Sequence, residues 1–189
     1  MNSILIILFG FVAIFILWIV ITYNTLIRMK NAVKNAWSQI DVQLKRRHEL
    51  IPNLVETVRG YMKHEQVTLK NVTKARNIAA QAANRDSSVG DRASAERKLG
   101  GVLGRLFAVV ESYPDLKANK NFLSLQEELS STENRISFAR QHYNDSVMRF
   151  NNKIQVIPTN IVAGISGFIQ EEFFELEDKT ARKAPTVSF

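Results

Sequence analysis

The chain is 189 residues long, carries 25 Lys and Arg against 18 Asp and Glu, and has no Cys. Such a length holds one domain with a real core beyond any targeting segment, and hardly two. Without Cys there can be no disulfide, thiolate metal site or cysteine nucleophile, and the absence fits a reducing compartment.

Ile4 to Ile21 is an unbroken apolar run, and the first charged side chain is Arg28. Eighteen or so apolar residues without charge suffice to span the hydrocarbon core as a helix. Trp18 and Tyr23 near its exit suit the membrane interface, as do Arg28 and Lys30 just beyond. A cleaved secretory signal is the competing reading. It needs a basic n-region and a small-x-small cleavage site. The start Met1-Asn2-Ser3 has no Lys or Arg, and Thr22-Tyr23-Asn24-Thr25 offers no such site. Between Arg28 and Arg47 stand six basic residues (Arg28, Lys30, Lys34, Lys45, Arg46, Arg47) and one acid, Asp41. By the positive-inside rule the N-terminus lies outside and the C-terminal part in the cytoplasm. The flipped orientation, with the domain in the periplasm, is the alternative.

After the anchor the periodicity is helical. Leu26, Val33 and Ile40 recur at sevens, and Trp37, Leu44, Ile51 and Val58 form a companion row four residues on. Rows offset in this way make one apolar stripe. With no Gly or Pro between stripe and anchor, one helix is expected from Ile4 to about Tyr61, roughly 85 Å at about 1.5 Å per residue. Pro52 should kink or divide it, and Gly60 is a plausible end. A second helix fits Glu65 to about Asn84, with Val72, Ala75, Ile78, Ala79 and Ala82 on its apolar side. The polar segment from Arg85 and Asp86 to Asp91 reads as a loop.

A third helix fits Arg92 to Ser112, carrying Leu99, Val102, Leu103, Leu106, Val109 and Val110. Its Gly100, Gly101 and Gly104 suggest close backbone approach to a neighbour, and Pro114 ends it. Then Phe122, Leu129, Ile136, Tyr143 and Phe150 fall at consecutive sevens, with Leu125, Ala139, Val147 and Ile154 as companions. That is a long helix burying its stripe, closed by Pro158. The apolar piece from Ile161 to Phe174 contains Gly164 and Gly167 and ends in acids (Glu171, Glu172, Glu175, Glu177, Asp178). It reads as a short helix closing the bundle or as one lying against the membrane, and its acidic end favours the first. No strand-like alternation occurs. The expected fold is all-α, an N-terminal transmembrane helix (1–24) followed by an antiparallel bundle of about four long helices (25–178). An irregular tail (179–189) ends the chain.

The charges are unevenly placed. Residues 28–110 carry 16 Lys and Arg against 7 Asp and Glu, a net of +9, and residues 111–189 carry 9 against 11, a net of −2. A basic membrane-proximal half suits an anionic lipid surface, worth about 1 kcal/mol per nearby Lys or Arg. It equally suits helices solvated by their own charge and facing an acidic half of the same protein. No nucleic-acid motif or stacking platform accompanies it, so nucleic acid is not expected.

The search for reaction chemistry yields little. His48-Glu49 and His64-Glu65 begin like a zinc helix, but the second His of HExxH is missing, position 52 being Pro and position 68 Thr. Gly164-Ile165-Ser166-Gly167 is one residue short of a nucleophile elbow, and Gly100-Gly101-Val102-Leu103-Gly104 matches no phosphate-binding loop. Catalytic residues, metal ligands and cofactors are therefore not expected. The densest segment runs from Ala36 to His48. There Asp41 and Lys45 stand in the favourable acid-first i, i+4 order. Trp37, Asp41, Lys45, Arg46 and Arg47 form a candidate contact for a partner or for lipid. The bland reading is a buried Trp beside a solvated charged face.

These residues also carry a resemblance. AWSQIDVQLKRRHELIPNLVETVRGYMKHE (36–65), YPDLKANKNFLSLQEEL (113–129), ENRISFARQHYNDSV (133–147), the FFE at Phe173–Glu175 and the terminal APTVSF resemble the LemA family of bacterial membrane proteins. The likeness runs from Tyr23 to the C-terminus. It implies an anchored all-helical protein of the bacterial inner membrane with no established enzymatic activity and no catalytic residues to transfer. It also implies an association with envelope stress and with a membrane-bound zinc protease of the HtpX type.

Three functions follow as expectations. The first is a non-enzymatic scaffold or adaptor that self-associates as a homo-oligomer, through coiled-coil-like stripes, or binds a membrane protein partner. The second is a protein that coats membrane lipid through its basic half. The third is an enzyme with an unrecognised site, to be revived by loss of activity on changing His48, Glu49, His64 or Glu65.

Overall fold

A computed structural model describes residues 2–83 and 87–174. Among the described residues there are six helices and no strand: α1 (Asn2–Arg59), α2 (Gln66–Ala83), α3 (Val89–Val110), α4 (Pro114–Lys117), α5 (Lys120–Gln155) and α6 (Thr159–Ile165). The all-α class is as the periodicity requires. The expected irregular tail, the acids Glu175, Glu177 and Asp178, and Arg85 and Asp86 of the expected loop lie outside the described residues.

α1 runs unbroken through Pro52, so the proline does not divide it. Pro52 has no N–H to give to the carbonyl four residues back, which is that of His48. Arg76 on α2 fills the gap, its Nε donating to the His48 carbonyl at 3.1 Å. A cross-helix donor thus satisfies the group that the proline orphans. The helix stops where Gly60 suggested, and the N–H groups of Tyr61 and Met62 both return to the Val58 carbonyl at 3.0 Å.

α2 buries Leu69, Val72 and Ala79. Ile78, expected beside them, is 47 % exposed, because it sits one residue off the row that faces inward. α3 begins earlier than the loop reading allowed. Ser88 caps it, accepting from the Asp91 N–H at 3.1 Å, and its hydroxyl donates to Asp91 Oδ2 at 2.9 Å. This capping pair draws Val89, Gly90 and Asp91 into the helix. The glycines of α3 also depart from expectation. A Cβ built at Gly100, Gly101 or Gly104 meets nothing within 4 Å, so no neighbour approaches them closely. They cost helix stability without a packing return, and Gly104→Ala is expected to stabilise the protein by about 0.5–1 kcal/mol. A raised denaturant midpoint checks this; a lowered one would show a contact there after all.

Pro114 occupies the first turn of the short α4, where its missing N–H is harmless. Asn119 then caps α5, its Oδ1 accepting from the Phe122 N–H at 3.0 Å and its Nδ2 donating to the Tyr61 hydroxyl at 2.9 Å. Phe122, Leu129, Ile136, Tyr143 and Phe150 are all buried along α5, as the sevenfold spacing predicted. The last apolar piece is helical only over α6, after which Gly167 at φ 70° turns the chain.

The chain divides into two compact units, Met1–Val42 with Ile136–Phe173, and Gln43–Arg135 with Phe174–Phe189. In the first, Leu26, Val33, Ala36 and Ile40 of α1 and Ile136, Tyr143, Val147 and Phe150 of α5 are buried, and Trp37 meets Tyr143 with ring centroids 5.1 Å apart. In the second, one core cluster joins α1 (Ile51, Leu54, Val58), α2 (Leu69, Val72), α3 (Leu99, Leu103, Leu106) and α5 (Phe122, Leu129). There Arg47 of α1 meets Glu133 of α5, while Tyr61 meets Asn119. Those two helices are therefore antiparallel in this unit.

Candidate functional site

The residues that begin α1 define the first functional feature. Ile4, Ile7, Phe9, Phe11, Ile14 and Leu17 are all exposed, and the segment has a mean hydropathy of 3.3. Covering a large aliphatic side chain is worth about 1.5–3 kcal/mol each, so the segment demands an apolar surrounding. It is long and apolar enough to cross a membrane. At its exit Trp18 stacks on Phe15, the centroids 5.9 Å apart. Arg28 is exposed. Tyr23 lies against Phe168 at 6.0 Å, and Lys30 pairs with Glu171 at 3.8 Å while sitting 5.9 Å from the Phe168 ring centroid.

The five candidate contact residues are placed in different ways. Trp37 is half-buried against Tyr143, and Asp41 is likewise only partly exposed. Burial first, then the nearby charges of Glu171 and Glu172, push the Tyr143 hydroxyl up to about 12, and it donates to the Glu172 carbonyl at 2.8 Å. Lys45 is exposed and reaches Glu49 at 4.0 Å. Arg46, also exposed, reaches Glu128 of α5 at 3.6 Å. Arg47 turns inward and is only 3 % exposed.

Around Arg47 lies a charged cluster that local sequence patterns did not reveal. Its guanidinium donates through Nη2 to Glu96 of α3 and through Nη1 to Glu133 of α5 at 2.5 Å. His48 Nε2 donates to the other oxygen of Glu96 at 2.8 Å. With Arg76 on the His48 carbonyl, polar contacts tie α1 to α2, α3 and α5 within one turn. Burial opposes the charge on Glu96, but the His48 hydrogen bond and the Arg47 charge outweigh it, so the carboxyl lies below its ordinary value. Both oxygens of Glu96 are occupied by donors, which makes it a brace rather than a poised base. His64 is exposed, and among the described residues no three His, Asp or Glu side chains gather as metal ligands would.

The other side of the second unit carries two grooves along α2. One, of about 960 Å³, lies between α2 and the end of α1 over an apolar floor of Val55, Met62, Leu69 and Ile78. Its polar lining holds the cations Arg59, Lys63, Lys70 and Lys74 among the neutral Gln66, Thr73, Asn77 and Gln81. The other, of about 880 Å³, lies between α2 and α3 over Ala75, Ala95, Val102 and Val109, rimmed by Lys74, Lys98 and Arg105. No acidic residue is among the described residues lining either groove. An apolar floor with a rim whose charges are all positive fits an acidic amphipathic helix or an anionic lipid.

Comparison with known proteins places this architecture. The model of the LemA family matches residues 36–189. The chain is 33 % identical over 162 residues to Protein LemA of Metamycoplasma hominis, covering 82 % of this chain and 73 % of that protein. It is 26 % identical over 200 residues to the magnetosome protein MamQ 2 of Paramagnetospirillum magneticum (94 % and 72 % covered). To the magnetosome protein MamQ of Magnetospirillum gryphiswaldense it is 24 % identical over 197 residues (92 % and 71 %).

Proposed function

The chain belongs to the LemA family, and from that membership we propose that it is a non-enzymatic, membrane-anchored scaffold or adaptor of the bacterial inner membrane. One observation carries this reading: a lipid-demanding helix start belongs to a chain whose helical body offers apolar grooves edged with cations. The likeness to a protein named only for the family and to proteins named for the magnetosome favours a shared structural module over one committed reaction. The anchor crosses once. Its basic exit at Arg28, Lys30 and Lys34 holds the N-terminus outside and the helical body in the cytoplasm. The partner is a second copy of the chain or another membrane protein. The family's association with envelope stress makes an HtpX-type zinc protease the first partner to examine, in membrane protein quality control.

Crosslinking in intact membranes tests the proposal. Discrete species larger than the monomer are expected, weakened severalfold when Lys70 and Lys74 are both changed to Glu. Isolated monomers alone would refute it. The uniform charge of the exposed Lys63, Lys70, Lys74, Lys98 and Arg105 supports a second reading, a basic surface that coats anionic lipid. In that case the same double variant loses affinity for anionic vesicles while its protein crosslinks persist.

A further inference from the structure

The first unit leaves an apolar surface that its own core does not use. No charged residue occurs between Lys153 and Glu171. α6 turns Thr159, Val162 and Ala163 inward, yet Ile161 and Ile165 on its outer side, and Ile157 and Ile169 flanking it, are exposed. Ile157 is 82 % exposed, Ile161 59 %, Ile165 85 % and Ile169 71 %. Isolated surface aliphatics are ordinary, but several from one charge-free segment call for a covering.

The contacts of this segment say where it lies. α5 meets α1 at Trp37 and Tyr143, and one heptad later its Phe150 touches Phe168, centroids 6.1 Å apart. Phe168 in turn rests on Tyr23, at the exit of the membrane-spanning run. Glu171 is held seven residues further along α1, at Lys30. It is fixed there on both backbone groups by Asn151, whose Nδ2 donates to the Glu171 carbonyl and whose Oδ1 accepts from its N–H, each at 2.9 Å. Going back from Glu171, the chain therefore turns toward the membrane end of α1, the Phe168 ring lying between Tyr23 and the Lys30 ammonium. The segment is too short to span a membrane as a helix, and its length and composition are compatible with an interfacial one.

We propose that Val156–Ile169 is a second, non-spanning membrane contact, with Ile157, Ile161, Ile165 and Ile169 entering the boundary between headgroups and acyl chains beside the anchor. Of the acids that argued against a membrane-lying helix, Glu171 pairs with Lys30 at 3.8 Å and Glu172 follows it, both beyond the exposed isoleucines in the chain, while Glu175, Glu177 and Asp178 lie outside the described residues. The proposal rests on the anchor reading, and its test separates the two.

Because the natural chain has no Cys, single cysteines carrying an environment-sensitive fluorophore can be placed at Ile165, at Ile14 within the anchor, and at Phe138, which is 73 % exposed on α5. The full-length protein is reconstituted in vesicles of mixed phosphatidylethanolamine and phosphatidylglycerol, with doxyl-labelled lipid or aqueous iodide as quencher. The label at 165 is expected to be quenched by shallow doxyl lipid and to be about fivefold less sensitive to iodide than the label at 138. If 14 is quenched by lipid and 165 behaves like 138, the inference is overturned and the anchor stands. If neither is quenched by lipid, both fall. Protection of 165 from iodide without doxyl quenching would mean that protein covers the patch, which also overturns the lipid contact. Cysteine at an exposed position leaves the packing untouched, and an unchanged far-ultraviolet circular dichroism spectrum confirms it.

Discussion

Changing Glu96 to Ala is expected to destabilise the protein by about 3–5 kcal/mol, because it strands a buried guanidinium without its counter-charge and a buried imidazole without its acceptor. Arg47 is 3 % exposed and Glu96 7 %, so water cannot replace the lost partner. Glu133, exposed at the edge of the cluster, retains only one of the guanidinium contacts. Urea unfolding of the full chain in mild detergent, followed by circular dichroism, gives the value. A loss below about 1 kcal/mol would show that the cluster is solvated and not a brace. Replacing Arg47, His48 and Glu96 together by Met, Leu and Leu should recover most of the loss, since the desolvation cost disappears with the charges. The pH dependence has a definite sign. The folded pKa of Glu96 lies below its ordinary value of 4.5. Its contribution is therefore complete above 4.5 and is lost as the pH falls through the lower, folded value. Wild-type stability should decline on acidification below pH 4.5 more steeply than that of the triple variant.

Phe122→Ala should cost a similar amount, about 3–5 kcal/mol, through lost transfer energy and the cavity left behind. Phe122 is fully buried, and its ring lies 6.4 Å from that of Phe107 across the core of the second unit. Phe138→Ala makes the same chemical change on the exposed side of α5 and should move stability by less than about 0.5 kcal/mol. Comparable losses at the two positions would mean that the heptad stripe is not what seats α5.

The helices were legible because burial repeats with the helical period. Phe122 to Phe150 recur at sevens, and every one of them is buried. Boundaries were less legible where a single hydrogen bond decides them. Ser88 and Asp91 form a cap, yet their segment is polar enough to pass for loop. The three glycines of α3 suggested close packing because glycine permits it, but permission does not require a neighbour. The charged brace escaped because Arg47 and Glu96 are far apart in sequence and the basic triplet Lys45-Arg46-Arg47 looks like one solvated patch. A signal was nonetheless there. Arg47 lies three residues after Leu44 and four before Ile51, and Glu96 three before Leu99, so both charges stand on stripes whose other members are buried. A charge on such a stripe must meet its opposite inside. The grooves along α2 were not legible, since they depend on which helices flank it.

The makeup of the membrane-crossing run has a further consequence. From Ile4 to Ile21 it offers Gly10 and Ala13 as its only small residues, three apart instead of four, and no hydroxyl or amide side chain. Helices recognise one another within lipid through small-residue seams and polar pairs. This one presents uniform bulk to acyl chains all round, so it confers confinement to a plane without choosing a neighbour. On the proposed scaffold reading, selectivity of assembly then resides in the part outside the hydrocarbon, and an unrelated hydrophobic span of equal length is expected to serve as well.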